Sequence, residues 1–180
     1  MRQFASPGFK FRAMPAGMKI VYTIFLGWIF VGYGTNFALQ YAASKFTCKG
    51  FVEYYRGNID AEDDGNLSED FTIREPKQAY ELLLLTHNHL FIMPVVYLIL
   101  VHMFFFSEIF GTRMKVAATL IPSAGITLDV ACPWLIRFVA PGFAALKLFS
   151  VFLMVLTVLF LVIAPVYEMW LYRGKAPDVT

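Results

Sequence analysis

The chain has 180 residues, 58% of them hydrophobic and 17% aromatic, with a formal net charge of +2. Charged residues make up 16%, against roughly 25% in a soluble domain, and a soluble core of this length cannot hide so much apolar surface. A soluble globular protein is therefore excluded; the scattered basic residues, never in a run interleaved with aromatics, give no sign of a nucleic-acid partner.

The N-terminal tail carries Arg2, Lys10, Arg12 and Lys19 and no acid. The first apolar segment, about 19–43, exceeds the roughly 20 residues that span hydrocarbon and is too long for a signal-peptide core. On it, Gly27, Gly32 and Gly34 are expected to admit a neighbouring helix closely. Asn36 and Gln40, four apart, are placed to satisfy a buried partner.

The only sizeable soluble stretch, 44–78, is expected to be an acidic loop on the outer side. Its run from Asp60 to Asp70 is turn-rich and acidic. It matches a calcium loop at positions one, three, five, six and eight, but Phe71 stands where the bidentate Glu belongs. A solvated acidic loop is the plainer reading, and a docking surface for a basic soluble electron carrier is the functional one.

The second apolar segment, 80–106, holds all three histidines of the chain, His87, His89 and His102. Ionisable side chains inside a membrane are costly and usually mark a site, and imidazole is a common ligand for haem iron. On a helix, His87 and His102 differ by about 60° in direction and about 22 Å in height, whereas His89 points about 200° away from His87. His87 and His89 therefore cannot chelate one metal from a regular helix. Pro94 lies between the outer pair and His102 and can kink the helix. Glu81 sits at the outer end, as a second partner for His87, a protonatable group at a quinone site, or simply a solvated acid.

The third segment, 116–138, contains Pro122, Gly125, Asp129, Pro133 and Arg137, which leaves open whether its helix is continuous, or broken or re-entrant behind neighbouring protein. Asp129 near its middle reads either as a proton relay or quinone contact, or as a cap at a break beside Gly125. The fourth segment, 143–170, is nearly all apolar from Leu148 to Ala164 and reads as a lipid-facing or packing helix. Glu108 and Glu168, near the inner boundary, are expected to face water. Arg56, Arg74, Lys77 and Arg137 are outer-side cations suited to haem propionates, or else they balance the acidic loop. Cys48 and Cys132 form no CxxC or CxxCH, so covalent c-type haem is not indicated; a disulfide between them stays open. Cys132 before Pro133 offers a conceivable thiolate ligand, or a small buried residue.

The expected fold is an all-α integral membrane four-helix bundle in one domain. Basic residues at both termini and at Arg113 and Lys115 are expected to place both ends on the cytoplasmic side of a bacterial inner membrane, with Trp134 and Trp170 as interfacial anchors and Trp28 either a third anchor or deeper in its span.

Histidines 13 to 15 residues apart on one helix are a rough trait of membrane b-type cytochromes, which stack two haems across the bilayer. The span from Thr86-His87-Asn88-His89 through His102, with the four-helix count, resembles these di-haem cytochromes b. The resemblance implies haem b, one or two, on His87 and His102, with His89 as a further candidate and Arg74 and Arg137 at the propionates. Two bis-histidine haems need four histidines, and the other spans supply none. The missing ligands then come from a second copy or another subunit, from Met, or are absent because a haem is five-coordinate or only one is bound.

The leading functional reading is a small electron-transfer subunit of a respiratory or photosynthetic complex, with quinone as a candidate exchange partner and lipid as its surroundings. The alternative is a cofactor-free structural or accessory subunit; transport through Asp129 and the histidines ranks last, because few polar residues are available to line a pore. No motif indicates substrate chemistry by this chain alone.

Overall fold

The computed structural model describes residues 10–58 and 73–174. The acidic run 60–70 and Phe71 lie outside the described residues. Helices account for the framework: α1 (Ala16–Ser44), the short α2 (Cys48–Arg56), α3 (Ala79–Phe105), α4 (Thr112–Phe138) and α5 (Phe143–Trp170). No strand occurs among the described residues. All but α2 are long and apolar enough to cross a membrane. At 1.5 Å per residue each spans about 40 Å, so their ends reach past a hydrocarbon core of about 30 Å. The protein is an all-helical integral membrane four-helix bundle. Both described chain ends and the α3–α4 connection share one end of it, here the terminal end. Helix α2, residues 73–78 and the α4–α5 connection form the distal end.

Helix α5 is the centre of the packing. It lies against α4 along much of its length and also touches α1, α2 and α3. The close approach of α4 is made at Gly125, where a Cβ would stand 3.0 Å from Met154 Cγ. The glycines of α1 do not serve this purpose. A Cβ at Gly27, Gly32 or Gly34 would meet nothing within 4 Å, because α1 packs on α5 and α2 through other residues and leaves these positions open.

One further expectation changes. Helix α2 falls where a loop was expected. Thr47 caps it by accepting the Gly50 N–H at 2.9 Å, and Phe51 and Tyr55, four apart, bury one face. Gly57 ends it at a φ of 81°, where a Cβ would lie 2.7 Å from the Arg74 carbonyl oxygen. Helix α4, whose continuity the sequence left open, is continuous. Pro122 and Pro133 each remove one N–H and free the carbonyl four residues back, at Ala118 and Asp129. The Asp129 carbonyl takes a replacement donor from Lys147 Nζ at 3.3 Å. On another face of α4, Thr119, Ser123 and Thr127 each donate to the carbonyl four residues earlier, which satisfies their hydroxyls without water.

The apolar interior falls into two clusters. One, towards the terminal end, gathers Phe11, Leu26, Leu100, Phe104, Val158 and Leu161. The other, towards the distal end, gathers Phe51, Tyr55, Leu82, Cys132, Ile136 and Val151. At the terminal end Glu168 is fully buried, not solvated. Its carboxylate accepts the Ser107 hydroxyl and, at 2.7 Å, the Glu108 N–H. It thereby serves donors left where the chain leaves α3. Glu108 itself pairs with Lys10, and Lys19 Nζ donates to the Met169 carbonyl at 2.8 Å.

Replacing Glu168 with Leu strands one N–H and one hydroxyl in a buried place. Glu168→Leu should cost about 2 kcal/mol or more, and Glu168→Gln, which keeps an acceptor, clearly less. Equal unfolding midpoints for the two variants in detergent would contradict this role.

Candidate functional site

The junction of the two apolar clusters is charged. Asp129 of α4 and Lys147 of α5 meet there with Oδ1–Nζ at 2.5 Å, and their side chains are 5% and 4% exposed. By helix rise, Asp129 lies about 14 Å from the distal end of α4 and Lys147 about 6 Å from the start of α5. The Lys147 ammonium reaches both the carboxylate and the carbonyl that Pro133 has freed. One ammonium therefore answers both a buried charge and a proline-orphaned acceptor.

Helix α3 brings His89 to the same place. Its Nδ1 lies 2.8 Å from the Leu85 carbonyl oxygen. A neutral ring in that orientation carries its proton on Nδ1 and presents a lone pair at Nε2. Nε2 is 3.7 Å from Asp129 Oδ2, beyond a direct hydrogen bond. Tyr33 of α1 completes the surroundings: its hydroxyl donates to Met93 Sδ at 3.1 Å, and its ring stands edge-on to Tyr97 at 6.3 Å. A recess of about 10 Å³, lined by Tyr33, Asn36, Gln40, Met93 and Asp129 among others, has room for at most one water.

The other expected residues lie apart from this cluster. His87 and His102 are exposed on α3, each with its ring against the phenylalanine four residues on, at 4.8 Å from Phe91 and 5.1 Å from Phe106. The wide angle between His87 and His89 on one helix explains why one faces out and the other in. Glu81 accepts the Gln78 N–H and pairs with Lys77, both at 2.8 Å, so it caps α3 at the distal end. That same bond raises the pKa of Lys77. In α2, burial is the main cause of an upward shift at the Tyr55 phenol.

The distal arginines are tied to helix ends. Arg74 donates to the Ala43 carbonyl at the close of α1. Arg56 Nε donates to Ile136 O at 2.7 Å, at the close of α4, and Arg137 Nε donates to Lys77 O at 2.9 Å. Each supplies a donor to a backbone acceptor, two of them at helix C-termini. Cys48 and Cys132 are both free thiols, the first exposed and the second buried in the distal cluster, so the disulfide left open by the sequence is not formed. Trp134 and Trp170 donate to Thr86 and Thr23, each at 2.9 Å. No group of three or more His, Cys, Asp or Glu side chains able to hold a metal occurs among the described residues.

Sequence reasoning missed Lys147. A lysine a turn inside an otherwise apolar span was signal enough, since such a charge needs a partner and Asp129 was the one intramembrane acid already singled out.

A family model described as a transmembrane helical domain matches residues 45–176, most of the chain, and takes in α2 to α5 with Asp129, Lys147 and all three histidines. Neither a curated protein nor a solved structure matches.

Removing one partner of a buried pair strands the other. Asp129→Leu and Lys147→Met should each destabilise the protein by about 3–5 kcal/mol, and the double variant should recover most of that loss. Denaturant unfolding in mixed micelles measures it; a double variant as unstable as the sum of the singles would show that the pair is not the source of the effect.

Proposed function

The chain belongs to the Aq_1264_TM family of transmembrane helical domains, and on that premise we propose that it is a small electron-transfer subunit of a larger membrane complex, holding b-type haem on the outward face of α3. The observation that carries this reading is the exposure of His87 and His102 on α3. They lie about 22 Å apart along the helix. Around them the face is apolar, with Leu84, Phe91, Leu98 and Phe105 exposed as well. An imidazole turned to lipid is poorly solvated, so both rings call for an occupant from outside the chain.

The residues fit haem in part. His87 and His102 would each hold a haem through an imidazole nitrogen, and haem bound there would supply one-electron transfer. Opposing ligands would come from a second copy or another subunit, because His89 is turned towards Asp129. Propionate partners would also come from outside, since Arg74 and Arg137 are engaged with backbone carbonyls. Both termini on the cytoplasmic side of a bacterial inner membrane is the orientation that the basic residues of the sequence favour.

The engaged arginines favour a second reading, a cofactor-free accessory subunit whose exposed α3 face packs on a catalytic neighbour. An optical spectrum of the intact complex separates the two. The haem reading expects a Soret band with a pyridine haemochrome signature of haem b. The band should fall by at least half in His87→Ala or His102→Ala while the complex still assembles. A colourless complex, or one whose colour ignores both substitutions, supports the accessory role instead.

A further inference from the structure

Helices α1 and α3 do not pack closely on each other, and between them runs a groove of about 320 Å³ open at its side. Its mouth is apolar and exposed, with Trp28 at 72% and Ile92 at 60%. Its floor is low at Gly32, where a Cβ would meet nothing within 4 Å. Such a groove is entered sideways from the bilayer, so its occupant is a lipid-soluble molecule.

The polar groups of the groove converge at one depth. Asn36 lies about 12 Å from the distal end of α1, and Asn88 and His89 lie about 13 Å and 15 Å from the start of α3. Among the described residues, the side-chain amides of Asn36 and Asn88 make no hydrogen bond to the protein. Inside a membrane an amide without a partner is costly, so these two are unsatisfied donors facing an apolar cleft. Beside them His89, its side chain 21% exposed, offers an Nε2 too far from Asp129 for a direct bond. Tyr33, Asn36 and Met93 line both this groove and the recess that reaches Asp129. The groove thus ends on two amides and an imidazole, and the buried Asp129 carboxylate lies in the recess that adjoins it.

We infer that the α1–α3 groove binds the headgroup of a lipid-soluble quinone. A flat ring with two oxygens matches the site in each respect. Its faces suit Trp28 and Tyr33, its oxygens accept from the amides, and its tail leaves through the open side into lipid. A reduced ring would instead donate a hydrogen bond to His89 Nε2. A saturated acyl chain would leave the amides unsatisfied. The inference is independent of the haem reading, because the groove lies on another face of α3 from His87 and uses neither His87 nor His102.

The test is photolabelling of the full chain in phospholipid nanodiscs with a short-tailed azidoquinone, followed by peptide mapping. Saturable label is expected within 28–36 and 88–96, competed by the unmodified quinone. His89→Leu and Asn36→Leu should each raise the half-saturating concentration about tenfold, the loss of one hydrogen bond to an otherwise buried group. Thr127→Val, on the far side of α3, should leave it unchanged. If His89→Leu does not fold, Asn88→Leu, at an exposed position, carries the same expectation. Label that does not saturate, that maps elsewhere, or that an azido-phospholipid produces equally at the same segments would overturn the proposal. A sample that shows haem without specific label refutes this inference alone, and a colourless sample with specific label refutes only the haem reading.

Discussion

The Asp129–Lys147 pair is the constraint around which the bundle is arranged. Two charges in a membrane interior each cost several kcal/mol to desolvate, and that cost is offset only by close geometry and further hydrogen bonds. Both are present: the ammonium meets a carboxylate oxygen and the backbone carbonyl released by Pro133. The contact joins α4 to α5, the most extensively packed helices, at the seam between the terminal and distal clusters. It also fixes where a negative charge sits relative to His89, so a device that ties helices together sets the electrostatics of the groove on α3.

The molecule divides its polar groups into those it satisfies itself and those it leaves to others. At the distal end three arginines answer backbone carbonyls, and at the terminal end Glu168 answers donors beyond α3. Hydroxyls along α4 bond their own helix. What is left over is concentrated on α1 and α3: two amides and an inward imidazole in the groove, and two outward imidazoles on an apolar face. That residue of unmet hydrogen bonding is what supports a role in company, with a cofactor, a lipid-borne ligand or a neighbouring subunit.

Much of the fold was legible because long apolar segments leave few alternatives. Expected spans of 19–43, 80–106, 116–138 and 143–170 correspond to Ala16–Ser44, Ala79–Phe105, Thr112–Phe138 and Phe143–Trp170. The continuity of α4 stayed open in the sequence because Pro and Gly weaken a helix locally, while Lys147 and the packing of α5 support it from outside. Helix α2 was missed because nine residues give little periodicity, although Thr47 with Phe51 and Tyr55 was a readable sign. The site was legible in parts only. Helical angles separated His89 from His87, but not which of the two faces inward, since that depends on where α4 and α5 lie. Asp129 stands out by its cost in a membrane; its partner is a single lysine in a span that is otherwise nearly all apolar. Glu168 was placed in water because it lies near a helix end, where sequence cannot tell a solvated acid from a buried cap.

The most direct measurement is the dipolar coupling between the Asp129 carboxyl carbon and the Lys147 ammonium nitrogen, by solid-state NMR on selectively labelled protein in lipid bilayers. The account predicts the strong coupling of two groups in direct contact. Coupling too weak for contact, with both residues ordered, would mean that the pair does not form and that neither the packing of α4 on α5 nor the placement of His89 rests on it.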